Sequence, residues 1–390
     1  MVNVDSLVAA YRERFPDSKP GFVVRAPGRV NLIGEHVDYH GGLVLPIAIE
    51  PAVYAVAGRS NAERVHVFSA QLGASCEFAL TVREPVGAGR WENYVRGVVS
   101  HLSAEGCALV GANIHVDGDL PIGAGLSSSA AIEVATAMAL LSVAGETMPM
   151  QRVAQLCRSA EHTFARVPCG IMDQMACACA RERAALLIDC QDQSLEFISW
   201  PDGVIAVVVD SGARHQLGES EYAQRAGECA AAMACLKAQQ GLHVSSWREI
   251  TPDLLNQRGS GMSAVERRRA HHVVTEIART RAAADALGNG DVATVGRLMT
   301  KSHASLRDDY EVSTPELDRL VEILTGVSGV FGTKLTGAGF GGCVVAIAKE
   351  DALPQIEWAV RSRYDKAGGA ATRIWATTPR DGAAVLGLPT

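Results

Sequence analysis

The residues with the most chemistry crowd into one short stretch near the start of the chain. Between Arg25 and Tyr39 lie Arg29, Asn31, Glu35, His36 and Asp38, set among glycines and one proline and followed by the apolar run Leu43 to Ile49. Such polar density beside an apolar flank needs partners. Carboxylates and an imidazole held in fixed loops accept and donate along defined directions, which suits the hydroxyls of a sugar. An exposed turn with a solvated salt bridge is the plainer alternative. Glu35, His36 and Asp38 as ligands of a hydrolytic metal is a weaker one, because the run contains a single His.

Two glycine-rich segments offer a second kind of chemistry. From Asp119 to Glu133 the chain passes through Gly123 and Gly125 into the serines Ser127 to Ser129, which open a helical pattern. Glycines let backbone N–H groups approach an anion closely, and a helix start rich in serine favours negative charge. The physics is that of a phosphate-binding loop, although the G-x-x-x-x-G-K-[ST] pattern and the protein-kinase motifs are absent. A capped helix after a glycine turn is the bland alternative. Gly337, Gly339 and Gly342 formally satisfy G-x-G-x-x-G, but a strong strand, Cys343 to Ala348, follows where a dinucleotide site needs a helix. These glycines predict a tight turn that lets backbone approach a ligand or another loop.

The elements that must position these groups are read from hydrophobic period and turn punctuation. Strands are predicted at Phe22 to Arg25, Val53 to Arg59, Val65 to Ser69, Cys76 to Leu80 and Ala112 to Asp117. Helices follow at Ser128 to Val143 and Gln151 to Phe164, with a shorter helical stretch from Gly170 to Ala180. Strands return at Ala184 to Asp189, Leu195 to Trp200 and Val204 to Asp210. The second half is helix-rich, at Glu219 to Gln240, Ala264 to Ala286, Asp291 to Leu306 and Pro315 to Leu324. Strands at Gly332 to Leu335 and Cys343 to Ala348, a helix from Leu353 to Tyr364 and a strand near Thr372 to Trp375 close the chain.

A chain of 390 residues exceeds what one core usually holds, so two domains are expected, 1–200 and 201–390, meeting near Trp200. A net charge of −7 argues against general nucleic-acid binding, which needs clustered Lys and Arg. The longest apolar run, Val134 to Ala144, is far short of the roughly 18–20 residues of a membrane span and reads as a buried helix. Ten scattered cysteines and no signal peptide before Val24 point to the cytoplasm. Cys177 and Cys179 lack the second cluster that a structural zinc site requires.

Taken in order, these segments resemble one family, the galactokinases, within the wider group of galactose, homoserine, mevalonate and phosphomevalonate (GHMP) kinases. Gly28 to Tyr39 looks like the galactokinase signature, Leu120 to Ala131 like the shared ATP loop, and Leu335 to Gly342 like the third shared motif. Pro168 to Gln174 and Ser220 to Tyr222 also match. The resemblance implies a two-lobed α+β GHMP-kinase fold. Its N-terminal lobe would carry a mixed sheet with helices, like domain 2 of ribosomal protein S5. Its C-terminal lobe would be a ferredoxin-like α/β sandwich, with the active site in the cleft between.

The implied reaction moves the γ-phosphoryl of MgATP to the anomeric hydroxyl of α-D-galactose. By the same resemblance Asp173 is the catalytic base and Arg29 the cation beside it. Glu35, His36, Asp38, Gly170 and Tyr222 line the sugar pocket with Arg29 and Asp173. Pro121, Gly123, Ala124, Gly125, Leu126, Ser127, Ser128 and Ser129 hold ATP, Trp91 lies against adenine, and Ser129 with Glu161 holds Mg2+. These roles suit phosphoryl transfer, which needs an in-line hydroxyl, cations to absorb charge and a carboxylate near the nucleophile. The expected partner is a small sugar, with no nucleic acid or membrane, and the chain a monomer or weak homo-oligomer. Two rival readings are a kinase for N-acetylgalactosamine, galactosamine or L-arabinose, and a galactose- and ATP-binding sensor without turnover.

Overall fold

The computed structural model describes residues 2–213, 218–239, 243–365 and 372–388. Its strands in chain order are β1 (Phe22–Asn31), β2 (Leu43–Val44), β3 (Pro46–Arg59), β4 (Arg64–Ser69), β5 (Ala74–Ala79), β6 (Ala112–Gly118), β7 (Ala184–Asp189), β8 (Leu195–Ser199), β9 (Val204–Asp210), β10 (Val330–Thr336), β11 (Cys343–Lys349), β12 (Arg373–Thr377) and β13 (Ala384–Leu386). The first five helices are α1 (Val4–Arg14), α2 (Glu92–Ala104), α3 (Ser128–Ala144), α4 (Met150–Ala160) and α5 (Met172–Cys179). Six more follow: α6 (Gly218–Lys237), α7 (Pro252–Arg258), α8 (Ala264–Gly288), α9 (Val292–Asp308), α10 (Pro315–Thr325) and α11 (Leu353–Arg363). The expected helix end at Gln240 falls outside the described residues.

Six strands form a mixed sheet in the order β13-β1-β3-β6-β4-β5, parallel only between β4 and β6. Helix α3 packs on β1 and β3, and its buried Val134, Leu140 and Leu141 belong to the main core. The second sheet runs β10-β11-β9-β12 and is antiparallel throughout. Its chain order β9, β10, β11, α11, β12 and its spatial order make it the ferredoxin-like arrangement. Strand β9 is buried at every position, as an unbroken Val- and Ile-rich run dictates for a central strand. A small sheet, β2-β7-β8, completes the strands. The last strand, β13, returns to pair with β1, so the chain ends on the sheet where it began.

Strand β1 extends beyond its predicted end at Arg25 to Asn31. Pro27 lacks the N–H that the ladder needs, and the register with β3 slips between Pro27 and Arg29. Gly28 occupies that bulge, where a Cβ would stand 2.4 Å from Leu120 Cδ1 and 2.8 Å from the Leu126 carbonyl. The bulge therefore brings β1 against the glycine loop and re-aims Arg29.

The two large sheets meet where the end of β1 reaches the end of β10. Asn31 N–H donates to Thr336 Oγ1 at 3.0 Å. Lys334 Nζ lies 3.2 Å from Glu35 Oε1, with both side chains almost wholly buried. Removing one partner of a buried pair leaves an uncompensated charge, which costs about 3–5 kcal/mol. Lys334→Met should lower the urea midpoint accordingly, and adding Glu35→Gln should recover part of the loss. An unchanged midpoint in the single variant would contradict this.

Candidate active site

Arg29 leaves the β1 bulge and is held on three sides. Its Nε donates to Asp173 Oδ1 at 2.8 Å, its Nη2 lies 2.6 Å from the same oxygen, and its Nη1 donates to the Gly125 carbonyl at 2.8 Å. Asp173 sits in the first turn of α5, and its Oδ2 accepts the Ser127 hydroxyl at 2.6 Å. Burial opposes the charge on Arg29, but Asp173 and then Glu35 more than offset it, so the guanidinium stays cationic.

Ser127 does not cap the helix that it precedes. It stands before the first turn of α3 in left-handed backbone, φ 63°, and makes no side-chain cap. Its hydroxyl serves Asp173 instead. Gly123 and Gly125, at φ 71° and 76°, take the same left-handed conformation, which favours glycine. Gly123 and Gly125 are exposed, Ser128 and Ser129 partly so, while Ala124 and Leu126 are buried and fasten the loop to the core. Pro121 is half-buried. The predicted turn at Gly337 to Gly342 does approach another loop. A Cβ on Gly337 would stand 2.9 Å from the Gly125 carbonyl, and one on Gly342 would stand 3.0 Å from the Ala124 carbonyl.

A cavity of ≈ 450 Å³ opens beside the Arg29–Asp173 pair. His36, Asp38, Gly170 and Tyr222 line it together with Arg29 and Asp173, and Ser129 and Glu161 line its other side. Gly170 is required sterically, since a Cβ there would fall 1.8 Å from Asp38 Oδ2. Asp38 is half-buried, its carboxyl opening onto the cavity. Burial, then the charge of Asp173, push it up to about 7.

His36 is neutral, held down to about 3 by burial. Its Nε2 lies 3.0 Å from the Ala338 carbonyl, which can only accept, so the proton is on Nε2. Nδ1 then accepts from the Tyr39 hydroxyl at 2.8 Å, and Tyr39 in turn accepts from Tyr310 at 3.0 Å. Both nitrogens of His36 are thus engaged, and its ring lies 5.5 Å from that of Tyr222.

Glu35 stands behind the cavity wall rather than on it. Its Oε1 accepts Gly337 N–H at 2.8 Å, and its Oε2 accepts from Asn31 Nδ2. From α8, buried Glu276 accepts Gly34 N–H at 2.9 Å and Ser302 Oγ at 2.6 Å, bracing the turn before Glu35. Trp91 heads α2 half-buried against the main core and is not among the cavity-lining residues.

Glu161 ends α4, where the helix widens into a π turn, Glu161–Ala165, in place of the continuous helix predicted to Phe164. Its carboxylate hydrogen-bonds Ser129, Cys169 and Gln174, while burial and then Asp173 push it up to about 7. A hydroxyl and a carboxylate side by side at the cavity edge suit Mg2+, which takes one or two protein oxygens and completes its shell with phosphate and water. A dication there would also relieve the electrostatic cost that raises Glu161.

The sequence reading missed Tyr39 as a wall residue, although it closes the first motif, and Gly337 and Ala338, whose backbone the third motif brings to the cavity. It also missed Lys334 and Glu276, which no local pattern marks, and gave no role to Gln174, the last residue of the Pro168 to Gln174 segment.

Family models match three segments: "Galactokinase galactose-binding signature" over residues 9–59, "GHMP kinases N terminal domain" over 93–181 and "GHMP kinases C terminal" over 283–366. The class they define is the GHMP small-molecule kinases. The chain is 42% identical to human galactokinase over 97% of its length and 95% of the relative's. It is also 42% identical to the galactokinase of Roseiflexus sp. (strain RS-1) over 95% of each chain. The crystal structure of Lactococcus lactis galactokinase complexed with galactose superposes with a TM-score of 0.92 at 31% identity, covering 98% of this chain and 99% of that one. This chain belongs to the galactokinase family.

A carboxyl raised from 3.8 to about 7 stabilises the folded state below the unfolded value, and that contribution is lost as pH rises through about 7. The melting temperature of the ligand-free protein relative to Asp38→Asn should therefore fall between pH 5 and pH 8. A difference independent of pH would contradict the perturbed state of Asp38.

Proposed function

We propose that this chain is a galactokinase that transfers the γ-phosphoryl of ATP to the anomeric hydroxyl of α-D-galactose. The observation that carries the reading is the Arg29–Asp173 pair, bonded on one side to the glycine loop through Gly125 and Ser127 and open on the other to the cavity. The loop from Pro121 to Ser129 and the N-terminus of α3 cradle the phosphates with backbone N–H groups and dipole. Trp91, at the head of α2, is the aromatic face offered to adenine.

The sugar occupies the cavity. Asp38 and Tyr222 bind its hydroxyls, and Gly170 leaves room for the Asp38 carboxylate. His36 holds the wall at Ala338, and Glu35 supports the same wall from behind through Gly337. Asp173 orients the anomeric hydroxyl and takes its proton as that oxygen bonds to phosphorus and the bond to the ADP oxygen breaks. Arg29 stabilises charge on the transferring group. Ser129 and Glu161 would hold Mg2+, which neutralises phosphate charge when bound.

The lobes correspond to residues 1–200 and 201–390, with β13 lent back to the first. The ten cysteines are scattered along the chain with no regular framework, which supports a reducing compartment such as the cytoplasm. Among the described residues no helix is long and apolar enough to cross a membrane.

The test is a sugar panel of galactose, N-acetylgalactosamine, galactosamine and L-arabinose, with coupled ADP detection and NMR assignment of the phosphorylated position. Galactose should give the highest kcat/KM and phosphate on the anomeric oxygen, and EDTA should abolish turnover. A higher kcat/KM for another sugar would overturn the substrate assignment, and galactose binding without ADP release would mark a sensor.

A further inference from the structure

Immediately after Asp173, in the same helical turn, stands Gln174, wholly buried. Successive residues of a helix point about 100° apart, so α5 directs Asp173 to Arg29 and Gln174 away from it, toward α3 and α4. Gln174 Nε2 has two hydrogens and meets two carboxylates, Glu161 Oε2 at 2.6 Å and Glu133 Oε2 at 3.2 Å. In this orientation each amide hydrogen has a carboxyl oxygen to meet.

Glu133 lies on α3, wholly buried. Its Oε1 has no hydrogen-bond partner among the described residues, nor does Gln174 Oε1. Gln174 thus ties the two buried carboxylates together. On Glu161 the contacts from buried Gln174 and from the cavity residue Cys169, whose Sγ lies at 3.4 Å, both fall on Oε2. Gln174 ties that oxygen to the interior while the residue as a whole lines the cavity beside Ser129.

We propose that Gln174 is a positioning residue for the metal site, its amide holding the Glu161 carboxylate at the angle from which Glu161 and Ser129 receive Mg2+. The proposal rests on the assignment of Mg2+ to Glu161 and Ser129. One turn of α5 then sets two parts of the site at once, the carboxylate that faces the sugar and the carboxylate that faces the metal. Partners that orient a metal ligand typically change metal affinity by about 10–100-fold when lost.

The experiment measures binding of a non-hydrolysable ATP analogue across a Mg2+ titration by calorimetry, with galactose affinity measured separately in the absence of nucleotide. Gln174→Met keeps the volume and removes the donor. Its Mg2+ midpoint should rise by about 10-fold or more, with wild-type galactose affinity and with kcat recovering at saturating Mg2+. Gln174→Asn, one methylene shorter, should shift the midpoint in the same direction if the Met variant does not fold. Glu161→Gln is the reference. If Glu161→Gln shifts the midpoint and the Gln174 variants do not, Gln174 has no positioning role. If Glu161→Gln itself leaves the midpoint unchanged, the metal assignment fails and the inference with it. Lost galactose affinity without rescue by Mg2+ would show that Gln174 acts through the fold, and would also overturn the proposal.

Discussion

A buried guanidinium must have its charge and its N–H groups answered, and Arg29 is answered by hydrogen bonds to the Asp173 carboxylate and the Gly125 carbonyl, with the charge of Glu35 nearby. The structure is arranged around meeting that demand. The β1 bulge at Pro27 and Gly28 points Arg29 inward, the glycine loop presents a carbonyl to it, and α5 presents Asp173. Ser127 closes the arrangement by giving its hydroxyl to the other oxygen of the same carboxylate. A strand, a loop and a helix are thereby fixed relative to one another at the place where phosphate and sugar must meet. Preorganisation of this kind lets charge be stabilised in the transition state without moving dipoles at that moment.

The second half of the molecule supports the site from behind. Gly337 and Gly342, both in left-handed backbone, let the turn after β10 lie directly on the glycine loop, closer than a Cβ on Gly337 would allow. Lys334 and Glu35 join the sheets beneath that turn, and Glu35 also accepts the Gly337 N–H. Glu276 reaches in from α8 to hold the Gly34 turn. The residues of the first motif thus divide by task. Asp38 faces the cavity, His36 offers it a ring while spending both nitrogens on the wall, and Glu35 holds the two sheets together.

How much of this was legible varied with the physics. Strands such as Val204–Asp210 and Cys343–Lys349 are apolar runs rich in β-branched residues and buried on both faces as far as the exposed Lys349, and their pattern leaves little ambiguity. Strand β1 was cut short because Pro27 and Gly28 read as a terminus, when they mark a bulge within it. Helix α2 begins at Trp91 without a side-chain cap, and α1 buries only Leu7, Val8 and Tyr11 of its eleven residues, so neither announced itself. The chemical residues were legible by type and by motif. Their partners were not, because Glu35 finds Lys334, and Gly34 finds Glu276, across more than two hundred residues of chain. A buried lysine in a strand carries no local sign of its purpose. Glu35 looked like a sugar ligand because its type suits hydroxyls, and only the tertiary contacts show it accepting from Gly337, Asn31 and Lys334.

The chemistry of the site depends on the carboxylate paired with Arg29. Asp173→Asn keeps the shape and removes the charge and the basicity, and because it also leaves buried Arg29 without its carboxylate, binding is measured beside the rate to tell lost chemistry from a disturbed site. Single-turnover formation of galactose 1-phosphate should fall by at least about 10²-fold, with the affinity for galactose and for an ATP analogue largely retained. A variant that turns over at the wild-type rate with intact binding would contradict the role assigned to Asp173 and to the pair around which the site is built.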